Sequence, residues 1–175
     1  MNSPVAALTC AAFLAATLAS GCATRTQPQA DTVRAVPDKT VVLTFDDAVK
    51  SHLHFVAPLL HDYGFNATFF ATNQWRDSEH FLTWDEVAEL HRMGFEIGNH
   101  TWTHGAFALP EQAATLAGEL ARVEHALAEV GVPRPVSFAW CGNAFGPEAR
   151  DVLEQEGYRF ARRGMQPERP YGEIA

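Results

Sequence analysis

The sequence predicts a parallel α/β fold, a sheet with helices packed outside it, either open or closed into a barrel. Three observations lead there. Short β-branched or apolar runs alternate with helix-periodic stretches, five of the first and four of the second. Glycines or capping residues punctuate most of the helical stretches. The residues with the most chemistry follow directly after two of the strand runs, and in parallel folds ligands meet the C-terminal ends of strands.

The elements follow in order. Val41 to Phe45 is the first buried-strand run, bounded by Pro37 and by Asp46-Asp47. Phe55, Val56, Leu59, Leu60 and Tyr63 recur at helical spacing before a Gly64 stop, and Pro58 requires that this helix begin just ahead of it. Ala67 to Ala71 is the second strand. Thr83-Trp84-Asp85-Glu86 has the form of a capping box, and Val87, Leu90 and Met93 supply the apolar face of a helix ending at Gly94. Phe95 to Gly98 is the third strand. A long Ala-rich helix opens with Pro110 and stops before Gly131. Val136 to Trp140, a helix over Pro147 to Glu156, and Tyr158 to Ala161 complete the series.

Ahead of this domain the chain reads differently. Val5 to Leu18 is an uncharged, Ala-rich apolar run too short to span a bilayer comfortably, the form of an export-signal core. It ends in Leu18-Ala19-Ser20-Gly21-Cys22, which resembles a bacterial lipobox and marks Cys22 as the residue that would be lipidated. The expected organisation is a signal over 1–21, a polar linker over 22–38, and the domain over 39–175. The expected location is the cell envelope, on a membrane anchor facing the periplasm or at the outer membrane, or otherwise secretion. Loss of Cys10 with the signal and acylation of Cys22 would leave Cys141 alone, so no disulfide framework is expected. A net charge of −8 argues against a nucleic-acid partner.

Two short motifs carry the chemistry. Asp46 and Asp47 are adjacent carboxylates at a strand end, and both reach one site only if the backbone turns sharply between them. A plain Asp-Asp turn is the other reading. His100 and His104, four apart after the third strand, can converge on one point if the intervening backbone is helical; a pair of surface histidines is the alternative. Thr101 stands where a zinc-protease helix would need Glu. Two histidines with a carboxylate from the first strand can make a metal site with an open position.

Together, Thr44-Phe45-Asp46-Asp47 and His100-Thr101-Trp102-Thr103-His104 resemble the first two signature motifs of the polysaccharide deacetylase family, the NodB-homology carbohydrate esterases. Tyr63-Gly64-Phe65, Ala67-Thr68-Phe69-Phe70 and Met93 to His100 are similar to that family too. The resemblance, from about Lys39 to about Gly164, implies an incomplete (β/α) barrel with about five strands present. It implies a metal-dependent hydrolase that removes N- or O-acetyl groups from chitin-like glycans, peptidoglycan or xylan. By position, Asp46 would be the general base, and Asp47, His100 and His104 would bind a divalent metal, Zn²⁺ best, with Co²⁺ or Ni²⁺ as substitutes. Thr101 would brace the metal-binding loop.

The match weakens later in the chain. Where the family's third motif presents Arg or Tyr with Pro, this sequence has Phe138-Ala139-Trp140-Cys141-Gly142-Asn143. Trp140 is a candidate wall for the sugar, or an ordinary core aromatic. Cys141 reads as a small buried residue, with a ligand or reactive thiol as the other reading. His52, His54, His61, His80 and His91 read as helix-surface residues, although His52 and His54 lie close enough after Asp47 to approach the site. Trp75 and Trp84 read as packing or capping neighbours, with sugar platforms as the other reading. The family's late Leu-x-x-His, source of the general acid, has no counterpart here, since no His follows His125. The chain is therefore expected to stop before the fold is finished, with its fifth strand an open edge. A non-catalytic metal- and glycan-binding lipoprotein, or an inactive fragment, are the alternatives to an enzyme.

Overall fold

The computed structural model describes residues 37–164. The expected export signal, Cys22 and nearly all of the 22–38 linker lie outside the described residues. Strands β1 (Thr44–Phe45), β2 (Thr68–Ala71), β3 (Glu96–Asn99), β4 (Ser137–Ala139) and β5 (Phe160–Arg162) form one parallel sheet in that order. The sheet curls into a half-barrel. Helices α1 (Ala57–Asp62), α2 (Trp84–Arg92), α3 (Pro110–Glu129) and α4 (Pro147–Gln155) connect successive strands, so five strands and four helices alternate as expected.

Local signals explain most of the boundaries. Thr83 and Glu86 make the capping box: the Thr83 hydroxyl accepts from the Glu86 N–H at 3.3 Å, and the Glu86 carboxylate accepts from the Thr83 N–H at 2.8 Å. Pro110 and Pro147 open α3 and α4, where a missing N–H costs nothing. Pro58 sits in the first turn of α1, preceded by a π-helical turn over His52–Val56.

Three boundaries or placements differ from expectation. β1 is shorter than the Val41–Phe45 run, because only Thr44 and Phe45 find partners on β2, and Val41 is 78% exposed. β5 starts two residues later than the sequence suggests. The Tyr158 N–H closes the end of α4 on the Leu153 carbonyl at 2.9 Å, and its hydroxyl is held by Asn99 at 2.7 Å, so Tyr158 is not available to the sheet. His52 is not a surface residue: it is 8% exposed, with its ring against Phe45 and Phe69.

Two apolar clusters form the core. One, including Leu53, Leu60, Phe69, Val87, Leu90 and Ile97, lies under α1 and α2. The other joins Leu116, Leu120, Phe138, Trp140, Leu153 and Tyr158 beneath α3 and α4. On the sheet's other face, Phe70 lies across Gly98. A Cβ at residue 98 would come within 2.3 Å of the Phe70 ring, so only glycine lets the ring occupy that place. Among the described residues no helix is long and apolar enough to cross a membrane.

Candidate metal centre

The site lies at the C-terminal ends of the strands, and unusual backbone builds it. Asp46 and Asp47 follow β1 directly, and alternation along an extended chain would send their side chains apart. Asp47 instead has φ 73° and the next residue, Ala48, φ 53°, which swings the second carboxylate toward the end of β3. After β3, Thr101 and His104 also take positive φ, 61° and 53°. A β-branched residue in that region is a strained outlier, and such strain persists only where the surroundings hold it. Here the Thr101 N–H donates to the Asn99 carboxamide oxygen at 2.9 Å, and the Thr103 N–H and hydroxyl both donate to Glu119 of α3, at 2.7 and 2.9 Å. Trp102 is stacked on Trp84, and the Arg122 guanidinium lies 4.5 Å from its ring centre.

These turns bring Asp47, His100 and His104 together. Asp47 Oδ1 stands 3.3 Å from His100 Nε2 and 3.2 Å from His104 Nε2. Neither contact is directed as a hydrogen bond, so this buried oxygen has no donor of its own. Two donors held at 2.0–2.1 Å by one tetrahedral ion stand about 3.3 Å apart, so Asp47 can share an ion with either histidine. The two histidines and Cys141 form a set whose donor atoms all lie within 4.8 Å of one another. The remaining nitrogen of His100 supports this. Nδ1 lies 2.8 Å from the Ala139 carbonyl, which requires its proton there and leaves the Nε2 lone pair toward Asp47.

Electrostatics agree. The His100 contact, opposed by burial and aided by the charges of His100, His104 and His52, holds the Asp47 carboxyl below its ordinary range. Burial pulls the His100 imidazolium down, but Asp47, then Cys141 and Asp46, outweigh it and lift His100 to about 10. Burial and the neighbouring His100 charge push His104 down. A pocket that favours positive charge on His100 also suits a divalent cation, which would displace a proton on binding.

Asp46 points to a different partner. Arg162, at the end of β5, donates to both oxygens of the Asp46 carboxylate, and its guanidinium lies 5.4 Å from the Phe70 ring centre. No motif in the sequence marks Arg162: the family's arginine follows the fourth strand, and this one comes from the fifth. The two-residue shift of β5 puts Arg162 opposite Ala139 in the register, beside the strand ends that carry the site.

Two residues from the third-motif region have clear placements. Trp140 is 4% exposed, with its ring against Phe138 and Phe145 at centroid distances of 4.8 and 4.6 Å. It is a core aromatic and not a wall for a sugar. The aromatic beside the site is Trp75, centred 4.8 Å from the His104 ring and stacked on Phe81. Cys141 is buried behind His100, with Sγ 3.7 Å from Nδ1. A cavity of about 520 Å³ at the N-terminal ends of the strands, lined by Val42, Thr68, Glu96 and Arg134 among others, shares no residue with the site.

A family model described as polysaccharide deacetylase matches residues 33–161. The chain belongs to the polysaccharide deacetylase family. It is 32% identical over 85 residues to poly-β-1,6-N-acetyl-D-glucosamine N-deacetylase from Escherichia coli (strain K12), covering 39% of this chain and 13% of that one. It is 33% identical over 99 residues to chitin deacetylase from Pestalotiopsis sp, covering 57% of this chain and 32% of that one. Its fold is similar to that of IcaB from Ammonifex degensii, with a TM-score of 0.65 at 22% identity over 72% of this chain and 60% of that one. The chain thus spans at most a third of the length of these two curated relatives. Its half-barrel matches the NodB-type (β/α) barrel of the family, with five strands among the described residues.

Proposed function

We propose that this chain is a metal-dependent hydrolase removing acetyl groups from a polysaccharide outside the cytoplasm. The observation that carries the reading is the convergence of His100 and His104 on one buried, donorless oxygen of Asp47, with the Asp46 carboxylate next in sequence and beside them. Asp47, His100 and His104 would hold the cation, and Zn²⁺ suits two imidazoles and a carboxylate, with Co²⁺ or Ni²⁺ as replacements. When bound, such an ion supplies Lewis-acid polarisation of an acetyl carbonyl and of water near neutral pH. Asp46 accepts the proton of the attacking water on a carboxylate oxygen, as general base. Arg162 fixes the direction of that carboxylate, and the Ala139 carbonyl fixes the tautomer of His100. Thr101 braces the loop between the histidines.

Support for the substrate class comes from the relatives, a poly-β-1,6-N-acetyl-D-glucosamine N-deacetylase and a chitin deacetylase. Chitin-like glycans, peptidoglycan and xylan all belong to it, with the acetyl on nitrogen or oxygen. The location rests on the sequence alone: the apolar run Val5 to Leu18 and the acylation candidate Cys22, which with the 22–38 linker would tether the 39–175 domain to a membrane. A second reading, a module that binds metal and glycan without turnover, is favoured by one contact. Arg162 engages both oxygens of Asp46, which leaves that carboxylate fewer lone pairs free to take a proton.

Acetate release from chitin oligosaccharides and acetylated xylan, with added Zn²⁺ or Co²⁺, tests the proposal. Metal-dependent release lost in Asp46→Asn is the expected result. Stoichiometric metal uptake with no release would point to a binding module or an inactive enzyme instead. Metal uptake unchanged in His100→Ala would refute the assignment of the centre.

A further inference from the structure

His100 and His104 belong to two overlapping donor sets. The first is completed by Asp47. The second is completed by Cys141: a ring nitrogen of each histidine and Cys141 Sγ all lie within 4.8 Å of one another. A short 3₁₀ turn over Cys141–Asn143, at the end of β4, delivers the thiol. Gly142 and Asn143 both have positive φ, so the turn folds back on the end of β3 rather than running on toward α4. Sγ is then 3.4 Å from the His100 carbonyl, 3.5 Å from the Thr101 hydroxyl and 3.7 Å from His100 Nδ1.

None of these contacts ties the sulfur down. A thiol is a weak donor and a weak acceptor, so exchanging such contacts for a metal bond loses little. Cys141 is buried, unpaired, and alone as a cysteine among the described residues, so no disulfide competes for it. The two sets also differ in kind. Asp47 contributes a hard carboxylate oxygen on the Nε2 side of His100, and Cys141 a soft sulfur close to its Nδ1. Soft ions prefer thiolate, whereas borderline and hard ions accept carboxylate.

We propose that Cys141 is a second-choice metal ligand, so that a thiophilic cation such as Cd²⁺ binds to Cys141, His100 and His104 while Zn²⁺ binds to Asp47, His100 and His104. The inference rests on the metal centre proposed above. On binding, the Cys141 S–H and His100 Nδ1–H bonds both break, the contact with the Ala139 carbonyl is given up, and the two protons pass to solvent. Sulfur–metal and nitrogen–metal bonds form with no change of oxidation state, and His100 keeps a proton on Nε2, facing Asp47. The ion enters from the side of His104, the more open of the two histidines, and the half-buried Asp47 carboxylate turns aside for it.

The test uses the full chain with Cys10→Ser and Cys22→Ser, which leaves Cys141 as its one thiol. Cd²⁺ titration is followed by thiolate-to-cadmium charge-transfer absorption in the ultraviolet and by proton release, and Zn²⁺ titration by calorimetry. The expected outcome is a band that saturates at one ion per chain and persists in Asp47→Asn. It is lost in both Cys141→Ser and Cys141→Ala, with at least about a tenfold loss of Cd²⁺ affinity. Zn²⁺ affinity should show the opposite pattern, sensitive to Asp47→Asn and little changed by Cys141→Ser. Cd²⁺ uptake without the band overturns the proposal, as does a band that survives His100→Ala with unchanged affinity. Failure of Zn²⁺ to bind any variant counts against the centre itself, and the cadmium band still decides the role of Cys141.

Discussion

Gly98→Ala should destabilise the domain by about 1–2 kcal/mol, and the reason lies in one contact. An added Cβ would stand 2.3 Å from Phe70 Cδ1, 2.4 Å from Cε1 and 3.2 Å from the Ser137 carbonyl oxygen. The backbone oxygen is fixed in the sheet, so the Phe70 ring must retreat by about 1 Å to reach ordinary contact. That ring is 3% exposed and has little room. Overpacking of this kind costs about 1–3 kcal/mol, offset by about 0.4–1 kcal/mol because alanine restricts the unfolded chain. Urea denaturation read at constant m-value measures the net. Phe70→Leu removes the ring edge, and in that background the Gly98→Ala cost should fall below about 0.5 kcal/mol, a coupling expected of touching residues. A Gly98→Ala protein as stable as the parent, or a cost unchanged in the Phe70→Leu background, would refute the packing argument.

Two further outcomes follow from two carboxylates, Glu86 and Glu119. Lys50 and Thr83 hold Glu86, whose carboxyl is lowered from 4.5 to about 2, burial acting the other way. Its folded pKa is depressed, so its stabilisation is present above pH 4.5 and is lost as pH falls toward 2. After allowing for solvent screening, Glu86→Gln should cost about 1 kcal/mol at neutral pH. In parallel acid titrations of stability that difference should shrink across the same window, and a difference independent of pH would exclude the charge as its source. Glu119→Gln keeps the shape but weakens the two bonds to Thr103, so Zn²⁺ affinity by calorimetry should fall about 10- to 100-fold with little change in urea midpoint. Unchanged affinity would show that Glu119 does not brace the histidine loop.

Much of the fold was legible because local signals and long-range packing ask for the same thing. The Thr83 capping box and the Gly64, Gly94, Gly131 and Gly157 stops mark helix ends that any neighbouring structure would keep. What failed was settled by pairing partners. Val41 and Val42 read as strand on composition, but a strand needs a ladder, and only Thr44 and Phe45 have one. His52 carries a polar side chain on a helical turn, which suggests solvent. Nothing in the sequence announces that its ring meets Phe45 and Phe69 behind β1. Trp140 could have faced either way, since strand alternation gives two sides without saying which is the core.

Arg162 shows where a motif stops being a guide. A motif records residues close in sequence, but a site at the ends of parallel strands is assembled across them, and any strand end can supply a given group. A chain that lacks arginine after β4 therefore need not lack a guanidinium at Asp46. Ala139 and Arg162 are partners in the register, so a side chain at either position projects over the same ground. The small residue on β4 leaves the space that the long one on β5 fills. The Phe70 ring, kept in place by Gly98, lies close to the guanidinium. The geometry at Asp46 thus depends on a glycine and a phenylalanine that do no chemistry, and on a strand whose start is set by how Tyr158 ends the preceding helix.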